Sequence, residues 1–433
     1  MAVVTTHVVG AGVAGLAAAL WLADAGHAVA VHEATPLAGG RCRALADGTD
    51  NGTHALLGAN RAALRLLDRI GAREGWVEPE PGGLPVLDLR DGSARRVALA
   101  PLAWRHASLR PAGVSARAVL ALAGLALPLG RDRAVAEAMA SHPEFLRGFV
   151  DPLTVAALNT PAAEASAHRL GAVLRRLGGR GATRLLVARE GLGPDLVAPA
   201  VAALRAAGGS IRFGARLRRI LAAGRRAGAL DFGEEGAIAL GPEDRVVLAV
   251  PPWEATRLLP HTAAPGEHAP IVNLHFARPA ATPVRFIGML DALCQWVLVR
   301  PAGISVTVSA GDDAVREDQA LLAPRAWAEI LQAARAFALP GEWPEAPPPC
   351  RVVKERRATP RHRPGAPPRP ARLPLANLAL AGDWTWPDLP ATIEAAALSG
   401  EAAARVRSGW PGLRAAAGTP PRFGRCASGA TRD

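Results

Sequence analysis

Residues 6–34 read THVVGAGVAGLAAALWLADAGHAVAVHEA. The first four positions, with Val3 to Thr5 before them, are mostly β-branched or apolar, as in a strand covered on both faces. Gly10, Gly12 and Gly15 follow at the spacing G-x-G-x-x-G. Ala14 to Ala25 is built from strong helix formers, and Gly26 ends it. HAVAVHEA returns to strand composition and closes on Glu33. Strand, tight turn, helix and strand in this order begin a parallel α/β unit.

Each position of the turn has a physical purpose. Gly10 permits the sharp bend, Gly12 lets a pyrophosphate approach the backbone, and Gly15 lets the helix lie close to the strand. The helix start around Ala14 offers free N–H groups and a partial positive charge to phosphates. Glu33 lies twenty-three positions after Gly10, where a carboxylate accepts hydrogen bonds from the ribose hydroxyls of an adenosine. PLAGGRCRA (36–44) then supplies a second loop, in which Gly39 and Gly40 open the backbone and Arg41 reaches for a phosphate. A second phosphate loop directly after the ribose acid argues for FAD over NAD.

Further along, the rhythm is interrupted twice. DGTDNGTHALLG (47–58) has turn chemistry, and Leu64, Leu67 and Ile70 share one helix face closed by Gly71. From about Trp76 the pattern changes to a hairpin turning at Asp91-Gly92, then to helical stretches over 115–173. It returns near Leu185 as helix, glycine turn and strand, followed by the buried strand DRVVLAVPP (244–252). It breaks again for strands near 271–276, 295–299 and 304–309 and a helix over 325–337. The expected organisation is an α/β protein with a Rossmann-like FAD-binding domain in three segments, 1–75, 185–254 and 375–408. An α+β substrate domain is inserted as 76–184 and 255–374, and 409–433 forms a flexible tail. Prolines hold much of 340–374 in loop.

Composition narrows the function classes. The 433 residues carry a net charge of +12, almost all of it arginine, with Lys354 the sole lysine. The arginines are dispersed without interleaved aromatics, which speaks against a nucleic-acid surface and suits an anionic membrane surface at least as well. Four cysteines, Cys42, Cys294, Cys350 and Cys426, have no metal-ligand or framework spacing, so no metal site is expected and a reducing cytoplasm is the default compartment. No apolar run reaches the ~18 residues of a membrane span. SARAVLALAGLALPLG (115–130) is nonetheless almost wholly apolar, fit for core, a greasy pocket or a membrane face.

Five stretches together resemble one family, the squalene-associated FAD-dependent desaturases or hydroxysqualene dehydroxylases, within the flavin amine oxidase and phytoene desaturase superfamily. They are residues 10–44, DNGTHALLGA (50–59), DPLTVAALNTPAAEASA (151–167), VVKERRAT (352–359) and LALAGDWTWPDLPATIEAAALSG (378–400). Pro360 stands where the family often has an aromatic residue. The resemblance implies bound FAD and the conversion of hydroxysqualene to squalene: an allylic hydroxyl leaves as water and the cation takes hydride from the reduced flavin. It implies that Leu217, within 216–220, offers backbone groups to the adenine. It also implies that Gly382 and Asp383 approach the flavin and its ribityl hydroxyls, and that Thr392 and Ile393 open a helix toward its pyrophosphate or pyrimidine edge. Asp50, Asn51 and His54 are expected beside the flavin, with His54 either proton donor, substrate orienter or structural histidine. Asp151 and Asn159 face the pocket or, for Asn159, cap a helix. Trp384 and Trp386 are core or wall the isoprenoid tunnel. Other readings are a carotenoid desaturase-type or amine-oxidase-type enzyme, or a non-catalytic prenyl-lipid escort. Peripheral attachment to the inner face of the plasma membrane is expected from the apolar substrate and the charge. The electron donor is not readable.

Overall fold

The computed structural model describes residues 4–279, 282–365 and 367–406, so the expected tail at 409–433 lies outside the described residues. The glycine turn joins β1 (Thr5–Val9) to α1 (Val13–Asp24), which leads into β2 (Ala28–His32). These strands belong to a five-stranded parallel sheet ordered 378–380, 245–248, β1, β2 and 210–212. Its strands come from three widely separated parts of the chain, because a parallel neighbour cannot be reached by a tight hairpin. The centre of the sheet and α1 form one apolar core.

Two fingerprint glycines are demanded by packing. Gly10 has φ +101°, and a Cβ there would stand 2.4 Å from the carbonyl oxygen of Ala249. A Cβ on Gly15 would stand 1.9 Å from the carbonyl oxygen of Gly10. Gly12 differs: a Cβ there would meet nothing closer than the Gly40 Cα at 4.0 Å, so the protein leaves that space open.

The second unit is built on a seven-stranded mixed sheet. Its order is 350–360, 268–276, 303–308, 296–300, 285–290, 84–88 and 94–97. Strands 84–88 and 94–97 are the expected hairpin, which joins the sheet through a parallel pairing with 285–290. Strand 285–290 was not expected from the sequence, since RFIGML lacks the alternation and flanking turn signals of its neighbours. The helical stretch expected over 115–173 is broken into α2 (Ala116–Leu125), several short turns and helices at Asp151–Leu158 and Ala167–Leu177. The helix expected at 325–337 begins earlier, at Gln319, with Asp318 accepting from the Ala320 amide as its cap and Pro324 tolerated near the first turns. Strands β3 (His268–Phe276) and β4 (Cys350–Pro360) pair along one edge and face the first unit. The last helix among the described residues, α3 (Ile393–Ala404), lies tightly on α1, where a Cβ on Gly400 would be 2.3 Å from the Ala14 carbonyl oxygen.

A dinucleotide cavity at the C-terminal edge of the parallel sheet

A cavity of about 410 Å³ opens at the carboxyl ends of β1 and β2, the edge where open α/β sheets bind ligands. Gly10, Gly12 and Ala14 form one wall, Glu33 and Leu217 one end, and Gly39, Gly40 and Arg41 the floor. The N-cap of α1 is Gly12, with no capping side chain and no acid in the first turn, so the N–H groups there remain available. α3 brings Thr392 and Ile393 to the same space. Here the Thr392 hydroxyl accepts from the Ala395 amide. The Ala391 amide donates to Nε2 of the buried His362 at 3.3 Å. Glu394 is buried and accepts from the Ala62 and Ala63 amides at 2.8 and 2.9 Å, capping a different helix.

Charge is concentrated at two places. Glu33 is buried, and its carboxylate accepts from the Ala11 amide at 2.7 Å and from the Thr35 amide and hydroxyl, which holds it at the rim of the glycine turn. Arg41 donates to Asp383 at 2.6 Å and to the Ala358 carbonyl at 2.5 Å. The two residues expected to meet opposite parts of a cofactor are therefore partners of each other. Gly382, at φ +142°, must be glycine because a Cβ would come within 2.6 Å of the Trp384 ring nitrogen. That nitrogen donates to the Val250 carbonyl at 3.0 Å, which leaves the buried indole as cavity wall. The Leu217 carbonyl accepts from Arg257 at 2.8 Å, and Leu217 lines the cavity.

The loop expected beside the flavin is split by the fold. Asn51 and His54 line the cavity. Burial and the Arg41 charge lower the His54 pKa to about 4, so its imidazole is neutral at neutral pH and is not a ready proton donor. Asp50 does not line the cavity. It is buried, pairs with Arg300 at 3.0 Å and accepts from the Leu192 amide at 2.7 Å. Asp151 and Asn159 are also away from it. Asp151 accepts from the Ala162 amide. Asn159 ends the helix 151–158 in a left-handed conformation, and its side chain bridges the Ala269 carbonyl, the Thr359 hydroxyl and the Ala310 amide. Trp386 lies behind the cavity, among Pro387, Arg369 and Leu389. Cys42 reaches the cavity, but burial pushes its thiol up to about 12, which makes it inert.

Cavity residues from the second unit were missed, among them the polar side chains of His268 and Asn273 on β3 and of Glu355 and Arg357 on β4. Trp253 joins them, with the Arg357 guanidinium 5.1 Å from its ring centre. The alternation Glu355, Arg357, Thr359 within VVKERRAT was the available signal, since a strand sends every second side chain to one face. The cavity thus has two characters. Its bare helix amides, acid and open glycines fit a dinucleotide diphosphate, and Trp253, Trp384 and Ile271 add apolar lining.

Comparison with known proteins agrees with this architecture. Residues 13–406 match the family described as flavin containing amine oxidoreductase. A hydroxysqualene dehydroxylase of Rhodopseudomonas palustris is 41% identical over 415 residues, covering 92% of this chain and 97% of that protein. One from Sinorhizobium fredii is 37% identical over 418 residues, with 92% and 97% covered. Among solved structures, cyclohexylamine oxidase from Brevibacterium oxydans superposes with a TM-score of 0.68 at 17% identity over 93% of this chain and 98% of that one, a likeness of fold alone. The glycine turn, the two helix starts at the cavity and this similarity over nearly all of the chain together mean that the chain belongs to the flavin-containing amine oxidoreductases and, within them, to the hydroxysqualene dehydroxylase family.

Proposed function

We propose that this protein is an FAD-dependent hydroxysqualene dehydroxylase. The substrate alcohol, one proton and one hydride give squalene and water. The observation that carries this reading is full-length similarity to dehydroxylases joined to a cavity whose bare amides and glycines suit FAD. Bound and reduced, the flavin supplies the hydride.

The chain's own residues do the rest. Glu33 turns its carboxylate to the adenosine ribose, Gly12 and the α1 amides take the diphosphate, and Arg41 with Gly39 and Gly40 closes over it. Asp383 and the start of α3 hold the other end of the cofactor. Trp253, Trp384 and Ile271 keep water from the allylic carbon once the hydroxyl has left. His54, neutral and half-buried, orients the substrate hydroxyl through a hydrogen bond. Asn51, whose amide nitrogen lies 3.5 Å from the Arg41 carbonyl, keeps the floor in register. A water-insoluble substrate and a basic chain support a peripheral position on the cytoplasmic face of a membrane; among the described residues no helix is long and apolar enough to cross one.

The test is anaerobic incubation of the reduced, FAD-loaded enzyme with hydroxysqualene, followed by mass analysis. Squalene is the expected product. Unchanged hydroxysqualene in a preparation with full flavin absorbance overturns the proposal.

A further inference from the structure

α2 is apolar on two sides. Its inner side packs, with Ala118 and Leu122 buried in the cluster that holds Trp104, Phe145 and Phe149. Its outer side carries Ala116, Leu120, Ala123 and Gly124, all exposed. The turn continues past the helix end, since the Leu127 amide donates to the Gly124 carbonyl, and this extends the same stripe. Leu120 is 72% exposed, Leu127 59% and Leu129 77%. Leu102, 87% exposed, projects from the preceding short turn, whose Trp104 sits in the same cluster as Ala118 and Leu122. These are four of the eight large hydrophobic side chains exposed among the described residues, within 28 positions of chain. A water-facing helix side normally carries polar groups.

The surrounding charge is one-sided. Residues 101–133 contain Arg105, Arg110, Arg117, Arg131 and Arg133 but a single acid, Asp132. Asp132 is turned inward, accepting from the Ser166 hydroxyl at 2.6 Å and from the His168 and Gly365 amides. Arg133 shares a distant contact with Glu137 at 3.8 Å. Exposed leucines among arginines match a surface that is oily within and negative at its rim. That is an anionic bilayer, whose acyl chains take the leucines and whose phosphates meet the guanidinium groups.

We propose that α2 and the turn at 127–131 are the surface by which this enzyme docks on an anionic lipid bilayer. The inference rests on the membrane part of the reading above and is independent of the chemistry assigned to the cavity.

FAD-loaded enzyme is sedimented with vesicles of phosphatidylcholine alone or enriched in phosphatidylglycerol. Wild type binds the phosphatidylglycerol vesicles. Leu120→Gln/Leu127→Gln/Leu129→Gln weakens binding by roughly tenfold or more. Arg117→Gln/Arg131→Gln loses about fivefold per arginine, together with the preference for phosphatidylglycerol and the sensitivity to salt. Leu321→Gln, an exposed leucine on the helix 319–336, binds like wild type. Flavin absorbance and turnover of detergent-dispersed hydroxysqualene stay unchanged in every variant, which shows that each is folded. Wild-type binding by the leucine triple variant overturns the proposal. So does a wild-type dimer that the triple variant converts to monomer without any vesicle binding. If vesicles bind but detergent-dispersed substrate is untouched by wild type, the catalytic reading fails and the docking surface stands.

Discussion

Two glycines three positions apart or fewer can do opposite jobs. Gly10 is required by the protein itself, through a left-handed backbone and a carbonyl 2.4 Å from where a Cβ would sit. Gly10→Ala should destabilise the fold by about 1–3 kcal/mol, read as a lowered midpoint of thermal unfolding. Gly12 has space to spare, so Gly12→Ala should fold with an unchanged midpoint in the apoprotein and lose flavin affinity roughly tenfold or more, read by absorbance titration. Equal effects from both would remove the distinction. Histidine supplies a second residue-scale expectation. His32 is buried in β2 beside His7, and burial, then His7 and Arg212, lower its pKa to about 4; His54 is lowered to about 4 as well. Unfolded, both titrate near 6.5, so the unfolded chain binds more protons between those values. Their contribution to stability is complete above about pH 6.5 and lost as pH falls toward 4. His32→Gln should flatten that slope by roughly 1–3 kcal/mol in a pH series of denaturant unfolding curves.

At the scale of elements, Asp50 changes meaning. It was expected at the flavin, yet it joins the loop after the second phosphate turn to strand 296–300 through Arg300 and to the 192 turn through an amide. Arg300 also donates to the Ala188 carbonyl, so one guanidinium ties three segments. Both partners are buried, and removing one leaves an uncompensated charge. Asp50→Ala should therefore cost about 3–5 kcal/mol, and Asp50→Ala/Arg300→Met should recover part of it. Denaturant unfolding of the two variants checks this, and an Asp50→Ala enzyme of wild-type stability would contradict it. The elements themselves were unevenly legible. β1, α1 and β2 were readable because periodicity, propensity and glycine spacing agree there. Strand 285–290 was not, because a short apolar run does not distinguish strand from helix without its sheet partners.

For the whole molecule, the cavity is shared: the first unit lends it the glycines, Glu33, Trp253 and Trp384, and strands β3 and β4 add Ile271, Glu355 and Arg357. The diphosphate end was written in local sequence, since a bare helix N-terminus, a glycine turn and an acid at the end of the next strand act within thirty-odd residues. Membership of the family was legible too, from motifs scattered between residues 10 and 400. The substrate end was not. Which of Asp50, Asn51 and His54 faces the cavity, that Glu355 and Arg357 reach it, and that Asn159 and Trp386 do not, depends on contacts more than a hundred positions apart. The outward face of α2 follows the same rule: the sequence alone could not tell an apolar stripe that packs from one left bare. Sequence by itself determined the cofactor-binding half of this protein, because its chemistry lies in backbone turns and helix ends set by near neighbours. Tertiary structure alone decided which side chains are free to act, because burial and pairing arise only when distant strands and loops are brought together.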